Sequence, residues 1–424
     1  MKILYCTNFY TRASGGVKTY IHSVGAELLK LGLPFRMVVP GAANGLEEDP
    51  RTDSRVYVLK SPRFPINREY RMILPLDFLP WFRFRLGEII RRERPDVVEV
   101  SDTWTLIYLA RALRERPGWF GLEKSPLVAA FSHDRLSDYM THYFREGAIR
   151  RNMLSFAGWY MKRIFLPCFD LILTNSDYTE AELKRVMGRT FEKKNPETHV
   201  VPLGVDSRVF DPSARDETFR QEYLVKNDGF LLLYAGRLSR EKGLDRLMEA
   251  MALLQRHRAH EIKLLVVGDG ALRRWVEDLR LENVSLLGHI GDRRQLARIY
   301  ASSDAFITPS IREGFGIAQL EAMSCGVPVI CPDVAGQMSY MGKLAGVVTG
   351  HSPNELREAV LQISSITGEK LNEMGRTARE IAERYSWSET ARKILDIYKN
   401  ALGRPVSPSS VYATGEMRTA REIM

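Results

Sequence analysis

Short apolar runs alternate with amphipathic stretches along most of the chain. Ile3–Cys6, Phe35–Val39, Asp96–Val100, Leu127–Phe131 and Leu171–Thr174 are short and mostly apolar, so they read as buried strands. Between the first two, Val17, Ile21, Val24 and Leu28 recur at helical spacing after a Ser14-Gly15-Gly16 turn, and Gly32 stops that helix. A basic helix ending at Arg94-Pro95 feeds the Asp96 strand. A second series begins near residue 230, with strands at Phe230–Tyr234, Lys263–Val267, Ser285–Leu287, Ala305–Thr308 and Val327–Cys331. Helices at Gly243–Gln255, Ala271–Arg280 and Arg293–Ala301 separate them. Strands that alternate with helices predict parallel sheets covered on both faces, hence an α/β fold of two doubly wound, Rossmann-like units. The join is expected near Pro202–Pro212. This divides the chain into residues 1–205 and 206–385, with a loose tail over 403–424 apart from a short helix at Gly415–Met424.

The length, 424 residues, accommodates two such units. With 45% hydrophobic and 27% charged residues, the composition excludes a mainly disordered chain, a collagen and a coiled-coil rod. Cys6, Cys168, Cys325 and Cys331 form no CxxC pair and read as buried, reduced thiols. The segment Met1–Cys6 is too short for a signal peptide, and no apolar run reaches the roughly 18 residues of a membrane-spanning helix. A cytoplasmic protein is therefore expected.

The net charge of +9 changes the picture only when it is located. Residues 1–205 carry 31 Lys plus Arg against 23 Asp plus Glu; the remainder carries 30 against 29. The excess thus lies in the first unit. Part of it sits in Arg63–Arg94, where arginines interleave with Phe64, Tyr70, Phe78, Trp81, Phe82 and Phe84. That segment reads either as a surface for anionic lipid or as a core-packed helix with its arginines in water. No nucleic-acid recognition motif accompanies the charge.

Ligands of doubly wound sheets bind beyond the carboxyl ends of the strands, so polar residues just after strand ends are the candidates. After the Ala305 strand comes Glu313-Gly314-Phe315-Gly316, opening a helix to about Cys325 that carries Glu321. Free N–H groups at such a helix start favour phosphate, and both carboxylates can accept hydrogen bonds from sugar hydroxyls. On spacing alone they could equally be a capping charge and a solvated helix residue. After the Phe230 strand, Gly236-Arg237-Leu238 and Glu241-Lys242-Gly243 place two cations where a diphosphate could lie, or else form a solvated basic loop. Val267-Gly268-Asp269-Gly270 is a weaker third turn, since paired glycines often only make room for a tight bend.

Taken together and in order, these segments resemble the retaining glycosyltransferases of the GT-B fold, family GT4. Glu313 and Glu321 match the family's E-x7-E element, and Gly236–Gly243 its G-R-L-x-x-E-K-G element. Gly15-Gly16-Val17, Asn175-Ser176, Pro202–Asp206 and Arg384–Trp387 extend the similarity from residue 1 to about 400. The resemblance implies two units facing a cleft, with a helix at about 386–402 returning to the first. It also implies a nucleotide-sugar donor, GDP-, UDP- or ADP-linked, and no requirement for a metal. By the same resemblance, Arg237 and Lys242 bind the donor diphosphate, Glu321 the ribose and Glu313 the transferred sugar. Backbone at Phe315, Gly316 and Ile317 meets sugar or phosphate, Ile290 the base, and Gly16 lets the first unit's loop approach the diphosphate. His133 matches a histidine that touches the donor sugar. Asp102, Asp134 and Arg135 are acceptor-side candidates or, equally, turn and cap residues.

Two further features bear on specificity. Many relatives carry Gly-Gly-x-Pro-Glu where this chain has Ala335-Gly336-Gln337-Met338-Ser339, so the carboxylate of that loop is missing. Ser132–Tyr139, with Tyr143 and Trp159, is similar to sulfoquinovosyl- and mannosyl-lipid synthases, which implies a lipid, lipid-linked or cell-surface glycan acceptor. A double displacement would need a carboxylate nucleophile, whereas the motif gives Glu313 a binding role. The expected chemistry is therefore a same-face substitution in which the leaving phosphate takes the acceptor's proton. A transferase for a small soluble acceptor and a non-catalytic, transferase-like subunit are the alternative readings.

Overall fold

The structure is a computed structural model that describes residues 1–10, 15–49, 53–64, 70–78, 85–133, 148–187, 196–224, 229–256, 261–333, 336, 340–341, 343–366 and 368–403. Asp134 and Arg135, Trp81, Phe82 and Phe84, the altered loop apart from Gly336, and the tail beyond Gly403 lie outside them. The chain divides into two compact units: Met1–Pro202 together with the helix from Trp387, and Leu203–Ser386.

The first unit is built on β1 (Ile3–Cys6), β2 (Phe35–Gly41), β3 (Gly45–Asp49), β4 (Ser54–Lys60), β5 (Val97–Val100), β6 (Leu127–Ser132), β7 (Leu171–Thr174) and β8 (Glu197–Val200), in the order β3-β4-β2-β1-β5-β6-β7-β8. All pair in parallel except β3, which runs antiparallel to β4 at one edge. The apolar runs predicted β1, β2, β5, β6 and β7. They missed β3, β4 and β8, which lie toward the sheet's edges, bury less, and so carry polar residues that blur the pattern. Val98, Val128 and Ile172 point into one core, against Leu86 and Ile90 of the helix Arg85–Glu93 and Leu106, Leu109 and Leu113 of the helix Leu106–Glu115. Phe78, Leu86 and Ile90 of Arg63–Arg94 are fully buried in this core, while Arg85, Arg91, Arg92 and Arg94 are exposed.

Two carboxylates inside this unit fix helices and strands to one another. Glu93, 1% exposed, takes Arg36 Nε at 2.8 Å and Arg55 Nη1 at 2.9 Å, and the Tyr57 hydroxyl as well. Burial pushes this carboxyl up, but hydrogen bonds from Tyr57, Arg36 and Arg55 outweigh it and bring it down to about 2. Glu99, on β5 and equally buried, accepts from Tyr20 Oη at 3.0 Å and from Tyr398 Oη. Tyr20 belongs to the helix Gly16–Lys30 and Tyr398 to the helix Trp387–Ala401, so one carboxylate ties the start and end of the unit to its sheet.

The second unit has β9 (Phe230–Ala235), β10 (Ile262–Val267), β11 (Val284–Gly288), β12 (Ala305–Ile307), β13 (Val329–Pro332) and β14 (Gly346–Thr349), ordered β11-β10-β9-β12-β13-β14 and parallel throughout its described pairs. Leu232, Leu264, Ile307 and Ile330 meet Leu247, Met248 and Met251 from the helix Leu244–Arg256 and Val360 and Ile363 from Pro353–Ser364. The helix read at Ala271–Arg280 is shorter, Arg273–Asp278. The sequence reading also missed β14. All four cysteines are free and buried, as their scattered positions predicted. Among the described residues no helix is long and apolar enough to cross a membrane.

Candidate functional site

The order of the parallel strands reverses between β1 and β5 in the first unit and between β9 and β12 in the second. At such a reversal the following helices lie on opposite faces and leave a crevice at the carboxyl ends of the strands. In the second unit the reversal collects the sequence's charged candidates.

The segment after β9 is shaped by backbone packing. Gly236 N donates to Val267 O at 3.0 Å, Leu238 N to Asp269 O at 3.0 Å, and Leu272 N to Leu238 O at 2.9 Å. A Cβ on Gly268 would stand 1.9 Å from Gly236 O, and one on Gly270 2.5 Å from Leu238 O. The Val267–Gly270 turn is therefore a floor on which the Arg237 loop rests, and its glycines are there for close approach. Tyr234 Oη donates to Arg237 O at 2.8 Å and holds that loop from beneath. Arg237 Nη1 lies 3.0 Å from Glu241 Oε1.

A short turn, Arg240–Lys242, follows and closes at Gly243 with φ +72°. A side chain there would meet Pro309 O at 2.7 Å, so this glycine brings the turn against the segment after β12. Arg246 Nη2 donates to the same carbonyl at 3.2 Å. The result is that Lys242 Nζ donates to Glu313 Oε1 at 2.7 Å, across the strand-order reversal. Both side chains are part-buried, at 28% and 19% exposure, so the pair borders solvent without being surrounded by it.

Glu313 leads into Gly316, whose φ of +90° places it in the left-handed region at the start of the helix Ile317–Ser324. Tyr340 Oη donates to Phe315 O at 2.9 Å and Gly316 O at 3.0 Å, and the buried Phe315 ring packs on Tyr340 and Tyr385 at 4.9 and 6.0 Å between centroids. Gly336 completes the support. A Cβ there would stand 2.1 Å from Glu313 O and 2.8 Å from Gly314 O, so this glycine of the altered loop still backs the Glu313 turn. Glu321 lies further along the helix, half-buried, with Tyr300 Oη 3.3 Å from Oε2. Burial pushes its carboxyl up to about 7, against the opposing pull of Arg293 and the Tyr300 hydrogen bond. Ile290 follows β11, whose Gly288 carbonyl accepts from Gly268 N at 2.8 Å, so its segment joins the same carboxyl end of the sheet.

The arrangement therefore presents Arg237, Lys242, Glu313, Glu321 and a helix start at the carboxyl ends of one sheet's strands. That set suits an anionic diphosphate flanked by hydroxyl-bearing groups. Among the described residues no three His, Cys, Asp or Glu side chains group to hold a metal ion. Tyr234, Tyr300 and Tyr340 were missed by sequence reasoning. Tyr234 and Tyr300 lie in elements that read as ordinary core, Tyr340 follows the altered loop, and only the fold brings each hydroxyl to the site.

Gly16, Asp102 and His133 belong to the first unit. Gly16 opens the helix after β1. Asp102, after β5, accepts from Thr105 N and Leu106 N at 2.8 Å each, so one carboxylate oxygen caps the helix Leu106–Glu115. His133, after β6, stacks on Phe131 at 4.5 Å, meets Tyr20 edge-on at 5.0 Å, and offers its carbonyl to Asn175 Nδ2 at 2.6 Å. Burial lowers its pKa to about 3, so the ring is neutral, and its Nε2 has no partner among the described residues.

Comparison with known proteins bears on the family and the fold. Residues 14–209 match the family described as Glycosyltransferase Family 4 and residues 215–381 that described as Glycosyl transferases group 1. A GDP-mannose-dependent alpha-(1-6)-phosphatidylinositol dimannoside mannosyltransferase of Mycobacterium tuberculosis is 28% identical over 93% of this chain and 95% of its own length. A glycosyltransferase of Methanocaldococcus jannaschii is 31% identical over 76% of this chain and 87% of its own. Among solved structures, sucrose-phosphate synthase from Thermosynechococcus elongatus superposes with a TM-score of 0.76 at 22% identity, covering 95% of this chain and 100% of that one. With its two Rossmann-like units and its ordered motifs, the chain belongs to the group 1 glycosyltransferases of family GT4 and has the GT-B fold.

Proposed function

We propose that this glycosyltransferase moves a mannose-type hexose from a nucleotide sugar, GDP-mannose first among the candidates, to a lipid acceptor with retention of configuration. The observation that carries the reading is the Lys242–Glu313 pair at 2.7 Å across the reversal of strand order, beside Arg237 and the Gly316 helix start. A donor diphosphate laid there meets Arg237, Lys242 and the helix N-terminus, which stabilise the charge that grows as the sugar–phosphate bond breaks. Glu321 accepts from the ribose hydroxyls and Glu313 from hydroxyls of the transferred sugar. Since Glu313 is engaged with Lys242, we read the reaction as a same-face substitution: the acceptor oxygen attacks as the phosphate leaves, and the leaving phosphate takes the acceptor's proton. Neutral His133 serves as a hydrogen-bonding and packing group for the sugar in this scheme. The donor and acceptor are inferred from the mycobacterial relative, whose printed activity uses GDP-mannose and a phosphatidylinositol mannoside. The enzyme would work at a membrane surface.

A thermal-shift screen of GDP-mannose, UDP-glucose, ADP-glucose and the free diphosphates tests the donor. A ligand at about 100 times its Kd adds about 2.7 kcal/mol to stability, which is readily seen in Tm. Transfer to a phosphatidylinositol mannoside, with the product anomer read by NMR, tests the acceptor and stereochemistry. Silence toward every nucleotide would overturn the donor reading, and an inverted anomer the mechanism.

A further inference from the structure

The first unit carries a surface that the donor chemistry does not use. On the helix Ala148–Tyr160, Phe156 and Trp159 are 46% and 52% exposed, with their rings stacked at 5.7 Å and 28°. Exposed Arg151 and Ser155 precede them at helical spacing, and exposed Lys162 and Arg163 follow. Residues 148–169 hold four Arg or Lys and no Asp or Glu. An ordinary solvated helix face mixes both signs and does not leave two large aromatics stacked in water.

Ring contacts tie this helix to the core behind it through the buried Tyr160. Phe156 reaches Tyr160 at 6.3 Å, and Tyr160 reaches Trp104 at 6.0 Å, just ahead of the helix Leu106–Glu115. Arg114 of that helix pairs with Asp170 at 2.8 Å, fixing the two segments side by side. The same helix presents Tyr108, 46% exposed, beside an open groove of about 390 Å³ lined by Phe78, Trp119, Arg111 and Arg116. Arg111 is paired with Glu115, and Arg116 lies over the Trp119 ring at 5.1 Å.

We propose that the face carrying Phe156 and Trp159, with Arg151, Lys162 and Arg163 at its ends, is the surface by which this protein lies on an anionic lipid bilayer. Charge complementarity selects the occupant: cations flank an aromatic pair in a unit whose excess charge is positive, and Trp and Phe insert at the depth where headgroups give way to acyl chains. The inference deepens the lipid-acceptor reading and rests on it for its purpose. The physical binding stands or falls by itself.

The test is flotation of the full chain with vesicles of phosphatidylcholine alone or of equimolar phosphatidylcholine and phosphatidylglycerol. The parent should float only with the anionic vesicles. Phe156→Ser with Trp159→Ser, and separately Lys162→Glu with Arg163→Glu, should each weaken partition by about tenfold or more. Both pairs are exposed, so folding should survive, and the thermal shift produced by the donor nucleotide should be unchanged. No flotation of the parent, variants that float as well as the parent, or variants that only turn a dimer into monomers would each overturn the proposal. Because the nucleotide screen is read separately, a failure here leaves the donor chemistry standing, and a failure there leaves the vesicle result standing.

Discussion

Lys242 and Glu313 are 71 positions apart in sequence and 2.7 Å apart in space, and that pairing sets how the two should differ on mutation. Lys242→Ala removes a ligand for the diphosphate, so GDP affinity and transfer should fall together. Glu313→Gln releases Lys242 from its carboxylate, so GDP should bind as well or better while transfer drops by about 10²–10³. Calorimetry of GDP binding beside kcat for transfer separates the two. Glu321 adds a pH dependence. Its carboxyl titrates at about 7 in the free protein, above the ordinary 4.5, so it is mostly protonated below pH 7. A ribose diol donates to the carboxylate form, so affinity should rise with pH through about 7, by up to about tenfold per unit below it, and level off above. Glu321→Gln should remove that part of the slope; a slope left intact would refute Glu321 as the ribose ligand. The spacing of Glu313 and Glu321 was legible in the sequence. The partners Tyr300 and Tyr340 were not, because a buried tyrosine leaves no periodic signal that its hydroxyl faces a site.

At the scale of elements, the site depends on loops pressed together where side chains are forbidden. Gly268 has φ +133° and a would-be Cβ 1.9 Å from Gly236 O, so Gly268→Ala must move the Arg237 loop. We expect a loss of about 1–3 kcal/mol in stability and weaker donor binding. Gly368 opens the helix Gly368–Ala382 with nothing within 4 Å of its would-be Cβ, so Gly368→Ala should be neutral or stabilise by about 0.4–1 kcal/mol. Thermal melts of both, with donor titrations, check the contrast. The sequence showed Gly268 and Gly270 as a turn, but their role as a floor for the neighbouring loop needed the order β10-β9 to be known. Asp102 shows the same division: its type suited either acceptor binding or a cap, and the Thr105 and Leu106 amides reveal the cap.

Across the molecule, the helix Trp387–Ala401 joins the first unit although 184 residues of the second intervene between Pro202 and Trp387. Its Trp387, Ile394 and Tyr398 are buried, and Tyr398 reaches Glu99. Burial raises the Glu99 carboxyl to about 7, with the Tyr398 and Tyr20 hydroxyls opposing the shift. A raised pKa means the fold prefers the protonated group. The stability it contributes is complete below about 4.5, declines as pH rises to about 7, and is then flat. Glu99→Gln should erase that decline and exceed the parent at pH 8 by up to about 3 kcal/mol, as read by urea denaturation at pH 4.5 and 8. Glu93 acts in the opposite sense: lowered to about 2, its contribution is present above about 4.5 and is lost as pH falls from there. By itself the sequence determined the α/β class, the buried strands, the family and the residue types at the strand ends, because apolar periodicity and motif spacing are local properties of the chain. Tertiary structure alone decided which strand ends adjoin, which carboxylate Lys242 meets, which glycines bear a neighbouring loop and which aromatics stay in water, because those outcomes depend on strand order and on packing between segments distant in sequence.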